Sequence, residues 1–279
     1  MNTYKAFYKT VGGAEGNKCY YPTRLDTYGR GCYYNCKYCY SRQLLNFRRL
    51  WNPKNPGVVP FNNIAKIVRE IPTGSVVRLG GMTDCLQPIE NIYKNTYNTI
   101  KLLNRKGIHY LIVTKSNLLT RPQYLSVLDK KLAHLQISIP TTDNRVLKMT
   151  DNAPPYEQRK KTVEELFDYG FDVSLRLSPF LYETADFEEL NTINVDKCLV
   201  EFLRVKKSMY DDLSDFVTFK DYRLKEGGYR HLKLRKKLEI LRKLEFKEIS
   251  VCDDVQKHYN YFTAMFNHNK SDCCNLRIL

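Results

Sequence analysis

The sequence is short of acid, of tryptophan and of long apolar runs. Asp and Glu number 30 against 45 Lys and Arg, a formal charge of +15 with a pI near 9.3. That balance favours a polyanionic partner, nucleic acid first, because each neutralised phosphate releases counterions. No apolar run approaches the roughly 20 residues a membrane helix needs, so no membrane partner is expected. The start, Met1-Asn2-Thr3-Tyr4-Lys5, lacks the apolar core of a signal peptide. The nine cysteines are therefore not read as a secreted disulfide framework; a reducing, cytoplasmic compartment is expected, where thiols can serve metal. The five histidines show no metal-ligand spacing, and there is no internal repeat or low-complexity linker. What is present is globular, with 43% hydrophobic and 13% aromatic residues in a chain of 279. That length suits one large domain, or one domain plus an appendage.

The chemistry concentrates in Gly31-Cys32-Tyr33-Tyr34-Asn35-Cys36-Lys37-Tyr38-Cys39-Tyr40, where three and then two residues separate the cysteines. Three thiolates on one tight loop can hold three irons of a 4Fe-4S cluster, whose usual ligation is by four cysteines. The fourth iron is then open to a ligand with a free amine and carboxylate. A closed zinc site takes four ligands in paired spacings, and no paired Cys/His set follows at finger-like distance. Cys252, Cys273 and Cys274 raise a separate question. They could ligate an auxiliary iron-sulfur cluster, or be plainly buried as free cysteines commonly are, with the adjacent pair pointing different ways. Cys19 and Cys198 read as core residues.

Short apolar runs alternate with helical patterns: strands at Arg24–Tyr28, Val76–Leu79, His109–Val113, His134–Ile139, Val173–Leu177 and Cys198–Val205. Helices are expected over Leu44–Trp51, Ile89–Lys106, Pro122–Lys130 and Tyr156–Tyr169. This order argues right-handed βαβ units and a parallel sheet, and six strands suggest a partial (β/α)6 TIM-like barrel with its site at the C-terminal strand ends. Residues 1–210 would form the barrel with an irregular lead-in from Tyr4 to Tyr21. Residues 211–279 would form a C-terminal α/β extension packed on it, with a helix over Arg230–Leu244 whose basic face is either solvated or turned to nucleic acid. A strand over Lys247–Val251 and a helix over Asp254–Phe266 would complete the extension.

The cysteine loop, with aromatic Tyr38 directly before its last cysteine, resembles the signature of the radical SAM superfamily. The run Thr83-Asp84-Cys85-Leu86-Gln87-Pro88-Ile89-Glu90 is similar to one in its spore photoproduct lyase-like branch. The resemblance implies a 4Fe-4S cluster on Cys32, Cys36 and Cys39, with S-adenosylmethionine on the open iron. Reduction would then cleave S-adenosylmethionine to a 5′-deoxyadenosyl radical that takes hydrogen from the substrate, fed by an electron donor such as flavodoxin or ferredoxin. It also implies roles for the strand ends. Gly80, Gly81 and Thr83 would meet the methionine amine, and Asp84 would accept from the ammonium or cap a helix. Lys115 would hold the carboxylate, Ser138 would face the sugar or carboxylate, and Arg159 would open the next helix toward the cofactor. The lyase returns hydrogen through a cysteine where this chain has Gly81 and Met82, which counts against simple lesion reversal unless Cys85 substitutes.

Gly227-Gly228-Tyr229, Val251-Cys252-Asp253-Asp254-Val255 and the stretch from Asn267 to Leu276 resemble radical SAM mobile pair proteins, encoded two together on mobile elements. That implies a second radical SAM protein as partner and tRNA hypermodification near the anticodon. Tyr33, Tyr34 or Trp51 would stack on an extruded base. The alternatives are DNA lesion repair or DNA base modification, peptide modification, and a non-catalytic metal-stabilised nucleic-acid-binding protein.

Overall fold

The computed structural model describes residues 5–9, 21, 23–276 and 278; Cys19 and most of the expected lead-in lie outside them. Eight strands form one sheet in the order β1 (Phe7–Lys9), β2 (Thr23–Leu25), β3 (Val76–Leu79), β4 (His109–Thr114), β5 (Ala133–Ser138), β6 (Asp172–Phe180), β7 (Lys197–Phe202) and β8 (Glu248–Val251). β1 is antiparallel to β2, and every later pairing is parallel. The six expected strands are β2 to β7. The expected C-terminal strand joins the same sheet as β8, beside β7. With β1 and β8 at its edges the sheet is an open, partial barrel.

β5 is buried at every position; Ala133, Leu135 and Ile137 alternate with His134, Gln136 and Ser138, whose polar groups are bonded to Asp172, Arg176 and the Ser178 carbonyl. The helix Asn95–Lys106 presents Thr96, Thr99, Ile100 and Leu103 to the core at helical spacing. It stops at Gly107, whose φ of +64° is the left-handed conformation glycine supplies at a helix end. Tyr156–Asp168 likewise buries Tyr156, Val163 and Leu166.

Where the helices differ from expectation, local chemistry gives the reason. The run expected from Ile89 to Lys106 is split at Lys94, with φ +51°. The buried Glu90 carboxylate accepts from the amides of Thr96, at 2.9 Å, and Tyr97, at 2.8 Å, so it caps a second helix. The first helix, Tyr40–Phe47, starts directly behind the cysteine loop rather than at Leu44. Pro122–Leu125 is a single turn. The helix expected from Arg230 begins at Leu234, because Gly227 and Gly228, both at positive φ, turn Leu224–Glu226 back onto Tyr229–His231 as a hairpin.

Glu90 also accepts from the hydroxyls of Tyr28 and, at 2.6 Å, Tyr124. Its removal strands two phenols and two helix amides in the interior. Glu90→Ala is expected to cost about 3–5 kcal/mol, read as a loss of Tm, whereas Arg145→Ala, at a residue whose side chain is 90% exposed, should leave Tm unchanged.

The Leu234–Leu241 helix turns Lys237 inward, 2.5 Å from Asp253 and 3.1 Å from His258 Nδ1. Burial, with Lys237 beside it and against the pull of Asp253 and Glu226, holds His258 down to about 4; His231 adds to the depression. An unfolded imidazole takes its proton near pH 6.5, so the stability from neutral His258 is complete above that pH and is lost as pH falls from 6.5 toward 4. His258→Gln should make the fall in stability across that window shallower, measured by urea unfolding at stepped pH.

Candidate active site

The C-terminal ends of β2 to β8 surround a cavity of about 320 Å³. Cys32, Cys36, Cys39 and Tyr38 line it, as do Gly80, Gly81, Thr83, Asp84, Lys115 and Ser138. Cys32 and Cys36 are buried and Cys39 half-buried. Their loop is pinned from outside: the Lys37 amide donates to the Thr150 carbonyl at 2.8 Å and Asn152 donates to the Tyr34 carbonyl at 2.9 Å. Gly31, at φ +152°, lies where a Cβ would come within 2.9 Å of Pro56 Cβ, so glycine is required for this close approach.

The donor chemistry fits a cluster better than a single ion. Tetrahedral zinc, with Zn–S near 2.3 Å, brings sulfurs to roughly 3.8 Å of one another. Among the described residues only Asp272, Cys273 and Cys274 bring three donor atoms within 4.8 Å of one another, so the cysteine loop is no ready zinc site. Its three thiols instead face a cavity large enough for a bulkier group, the setting that iron-sulfur ligation by cysteine needs. Burial, reinforced by the Asp84 carboxylate, pushes the Cys32 thiol up to about 12, and burial also raises Cys36 against the pull of Lys115. Metal binding must therefore displace their protons.

The turn after β3 is shaped by a residue the sequence reading passed over. Asp26, just past β2, accepts from the amides of Gly81 at 2.7 Å and Met82 at 3.1 Å, and from Thr83 at 3.5 Å. Gly80 has φ +75°, and a Cβ there would lie 2.9 Å from the Thr83 carbonyl oxygen. Asp84 accepts from Thr114 Oγ1 at 2.7 Å, the Lys115 amide at 2.8 Å and the Leu86 amide at 2.9 Å. It lines the cavity and closes the turn at Leu86, but it caps no helix, since the next helix begins only at Glu90. Lys115 Nζ lies 5.7 Å from the centre of the Tyr38 ring. Burial opposes its charge, but attraction to Cys36 and Asp151 outweighs burial and raises its pKa. Ser138 Oγ donates to the Ser178 carbonyl at 2.8 Å.

Arg159 does not line the cavity. Its fully buried guanidinium pairs with Asp151 at 2.7 Å and also donates to the carbonyls of Pro154 and Ser138. Asp151 in turn accepts from the Tyr38 hydroxyl at 2.5 Å. Arg159 thus stands one layer behind the cofactor-facing position expected for it, supporting Tyr38 through Asp151. Cys85 is fully buried and outside the lining. Arg24, Arg78, Arg176, Glu201 and Arg204, none of them expected as site residues, also stand on the cavity wall. Arg176 pairs with Glu201 at 2.7 Å; burial alone would raise Glu201, yet Arg176 and Arg204 outweigh it and hold the carboxyl at about 2. Removing one member of a buried ion pair costs about 3–5 kcal/mol. Arg159→Ala should therefore lower Tm of the metal-free protein by an amount of that order, which loss of a cofactor contact alone would not do.

Comparison with known proteins places this geometry. The fold resembles a variant of spore photoproduct lyase, with a TM-score of 0.62 at 14% identity, covering 88% of this chain and 79% of that one. It also resembles the lyase complexed with dinucleoside spore photoproduct, with a TM-score of 0.56 at 13% identity over 84% and 72%. SuiB of Streptococcus suis bound to S-adenosylmethionine gives a TM-score of 0.51 at 14% identity, covering 88% of this chain and 53% of that one. In sequence the chain is 25% identical over 162 residues to the uncharacterized protein MJ0683 of Methanocaldococcus jannaschii, and it spans 60% of that relative's length. The expectations of tRNA hypermodification and of a mobile-element origin are corrected by these findings. The likenesses run to a lyase solved with a dinucleoside lesion and to SuiB. Physically, counterion release acts on any phosphate backbone, so a charge of +15 cannot select RNA. Two of the expected stacking platforms, Tyr34 and Trp51, are only 4% and 3% exposed. No helix among the described residues is long and apolar enough to cross a membrane. The Radical SAM superfamily model matches residues 27–191, more than half of the chain and the whole stretch from the cysteine loop through β6, and the chain belongs to that superfamily of cofactor-dependent enzymes.

Proposed function

We propose that this enzyme acts on DNA, taking hydrogen from a damaged or intact base within a chain that works in the cytoplasm. Membership of the superfamily brings a 4Fe-4S cluster and S-adenosylmethionine as cofactors; when bound, they supply a 5′-deoxyadenosyl radical for hydrogen abstraction. The observation that carries nucleic acid over peptide is the charge of +15. The choice of DNA is supported by the likeness to the lyase solved with a dinucleoside lesion.

The chain's own residues would divide the work. Cys32, Cys36 and Cys39 would hold the cluster. Asp84, immobilised by three donors, would offer its remaining lone pairs to the methionine ammonium, with the Gly80–Thr83 backbone held alongside by Asp26. Lys115 would take the carboxylate, and Ser138 the ribose or carboxylate edge. Arg159 would act only through Asp151 and Tyr38. A low-potential donor of the flavodoxin or ferredoxin kind would deliver the electron, and the second radical SAM protein implied by the sequence resemblance would act on the same nucleic acid. With Gly81 and Met82 in place of the lyase's hydrogen-returning cysteine and Cys85 buried elsewhere, modification of a base fits better than reversal of a lesion.

The test is 5′-deoxyadenosine formation by anaerobically reconstituted protein with dithionite, with irradiated DNA, intact DNA, RNA and mixed peptides supplied separately. Several-fold stimulation by DNA is expected. Iron-loaded protein stimulated by peptide or RNA and not by DNA would overturn the proposal. Cys36→Ala should abolish cleavage together with the site's iron. Lys115→Met should keep the iron but weaken S-adenosylmethionine binding roughly ten- to a hundredfold, the worth of a charge-assisted hydrogen bond.

A further inference from the structure

The C-terminal cysteines are brought to the wall of the same cavity by two independent devices. Cys252 follows β8 directly, and its amide extends the pairing to the Val200 carbonyl at 2.9 Å. Cys273 and Cys274 sit in a turn closed by the Asn275 amide on the Asp272 carbonyl at 3.0 Å. Asp272 fastens that turn from inside, accepting from the amides of Cys274 at 2.9 Å and Leu276 at 3.0 Å. Lys197 fastens it to the sheet by donating to the Asn275 carbonyl at 2.8 Å.

The result is a compact donor set. One oxygen of Asp272 and the sulfurs of Cys273 and Cys274 all lie within 4.8 Å of one another, and all three residues are buried. The adjacent cysteines therefore converge, contrary to the expectation that they point apart. Cys252 packs against the same pair of cysteines, and Cys252 and Cys274 both face the cavity. Cysteines packed simply as small apolar residues do not call for a buried carboxylate aimed at the same point. A 4Fe-4S cluster, for its part, spreads its thiolates around a four-iron cube, whereas a single soft ion gathers them as closely as here. Arg78 and Arg176 share this wall, and their positive charge offsets the negative charge that several thiolates on one ion leave behind.

We propose that Cys252, Cys273, Cys274 and Asp272 bind one thiophilic divalent ion, zinc, at a site separate from the Cys32–Cys39 loop. Zinc enters as its ligands lose their protons to solvent, and no electron is transferred. The ion ties the C-terminal turn to the end of β8 and finishes that side of the cavity. It needs neither S-adenosylmethionine nor a substrate.

The experiment is zinc and iron analysis of the anaerobically purified full chain, with zinc K-edge X-ray absorption on the wild type. About one zinc per chain is expected, with a sulfur-dominated shell near about 2.3 Å. Cys36→Ala should lose iron and keep zinc, and Cys273→Ser should lose zinc and keep iron. If Cys273→Ser does not fold, the wild-type spectrum and Cys36→Ala decide alone. Absence of zinc, a shell of oxygen and nitrogen, or zinc lost with Cys36→Ala would overturn the site. Iron and sulfide persisting in Cys36→Ala would overturn it in favour of a second cluster. These readouts do not involve DNA, so failure of the DNA proposal leaves them intact.

Discussion

The buried pair of Asp151 and Arg159 is the constraint on which the cavity depends. Arg159 comes from the helix over Tyr156–Asp168, Asp151 ends the preceding helix, and Ser138, whose carbonyl Arg159 also grips, ends β5. On the other side Asp151 holds Tyr38, between the second and third cysteines of the loop. One ion pair thus fixes the distance between the sheet and the cysteine loop. Both charges are fully buried, so neither can leave without the other being stranded. The flanking amide bonds of Lys37 and Asn152 then set the loop's tilt as well as its depth.

That the cysteine loop and the strand-end residues meet at one cavity was legible because parallel barrels carry their sites at the C-terminal strand ends. The parallel sheet was legible from β2 to β7, where apolar runs alternate with helical patterns, whereas the last strand was expected in an extension and instead joins the sheet as β8. Arg159 was misplaced since a helix-opening arginine shows nothing of what faces it; its partner Asp151 is near in sequence but had no visible reason to be buried. Asp26 was hidden for a similar reason, because its partners are amides, which every residue has. The helix break at Lys94 followed from a carboxylate folding back on the next turn, which periodicity does not register. Arg78, Arg176 and Glu201, however, left a signal. Each interrupts an apolar run, in VVRL, LRL and VEF, and a charge inside a strand covered on both faces has to point at something polar.

Those interruptions line up across the sheet. Arg78 bonds to Tyr21 on the neighbouring segment, Arg176 bridges Gln136 of β5 and Glu201 of β7, and Ser178 adds a second bond to Glu201. The inner face is therefore a hydrogen-bonded floor rather than an oily one. Two of its arginines are matched by acids, Arg176 by Glu201 and Arg204 by Asp254.

The addition of β8 to the sheet beside β7 carries a consequence for biogenesis. The cavity draws one wall from the cysteine loop and another from Cys252, Asp254 and Cys274, so its two sides are made at widely separated moments of synthesis. A nascent chain that has folded only through β7 therefore has a cavity still open on the side that Cys252, Asp254 and Cys274 complete.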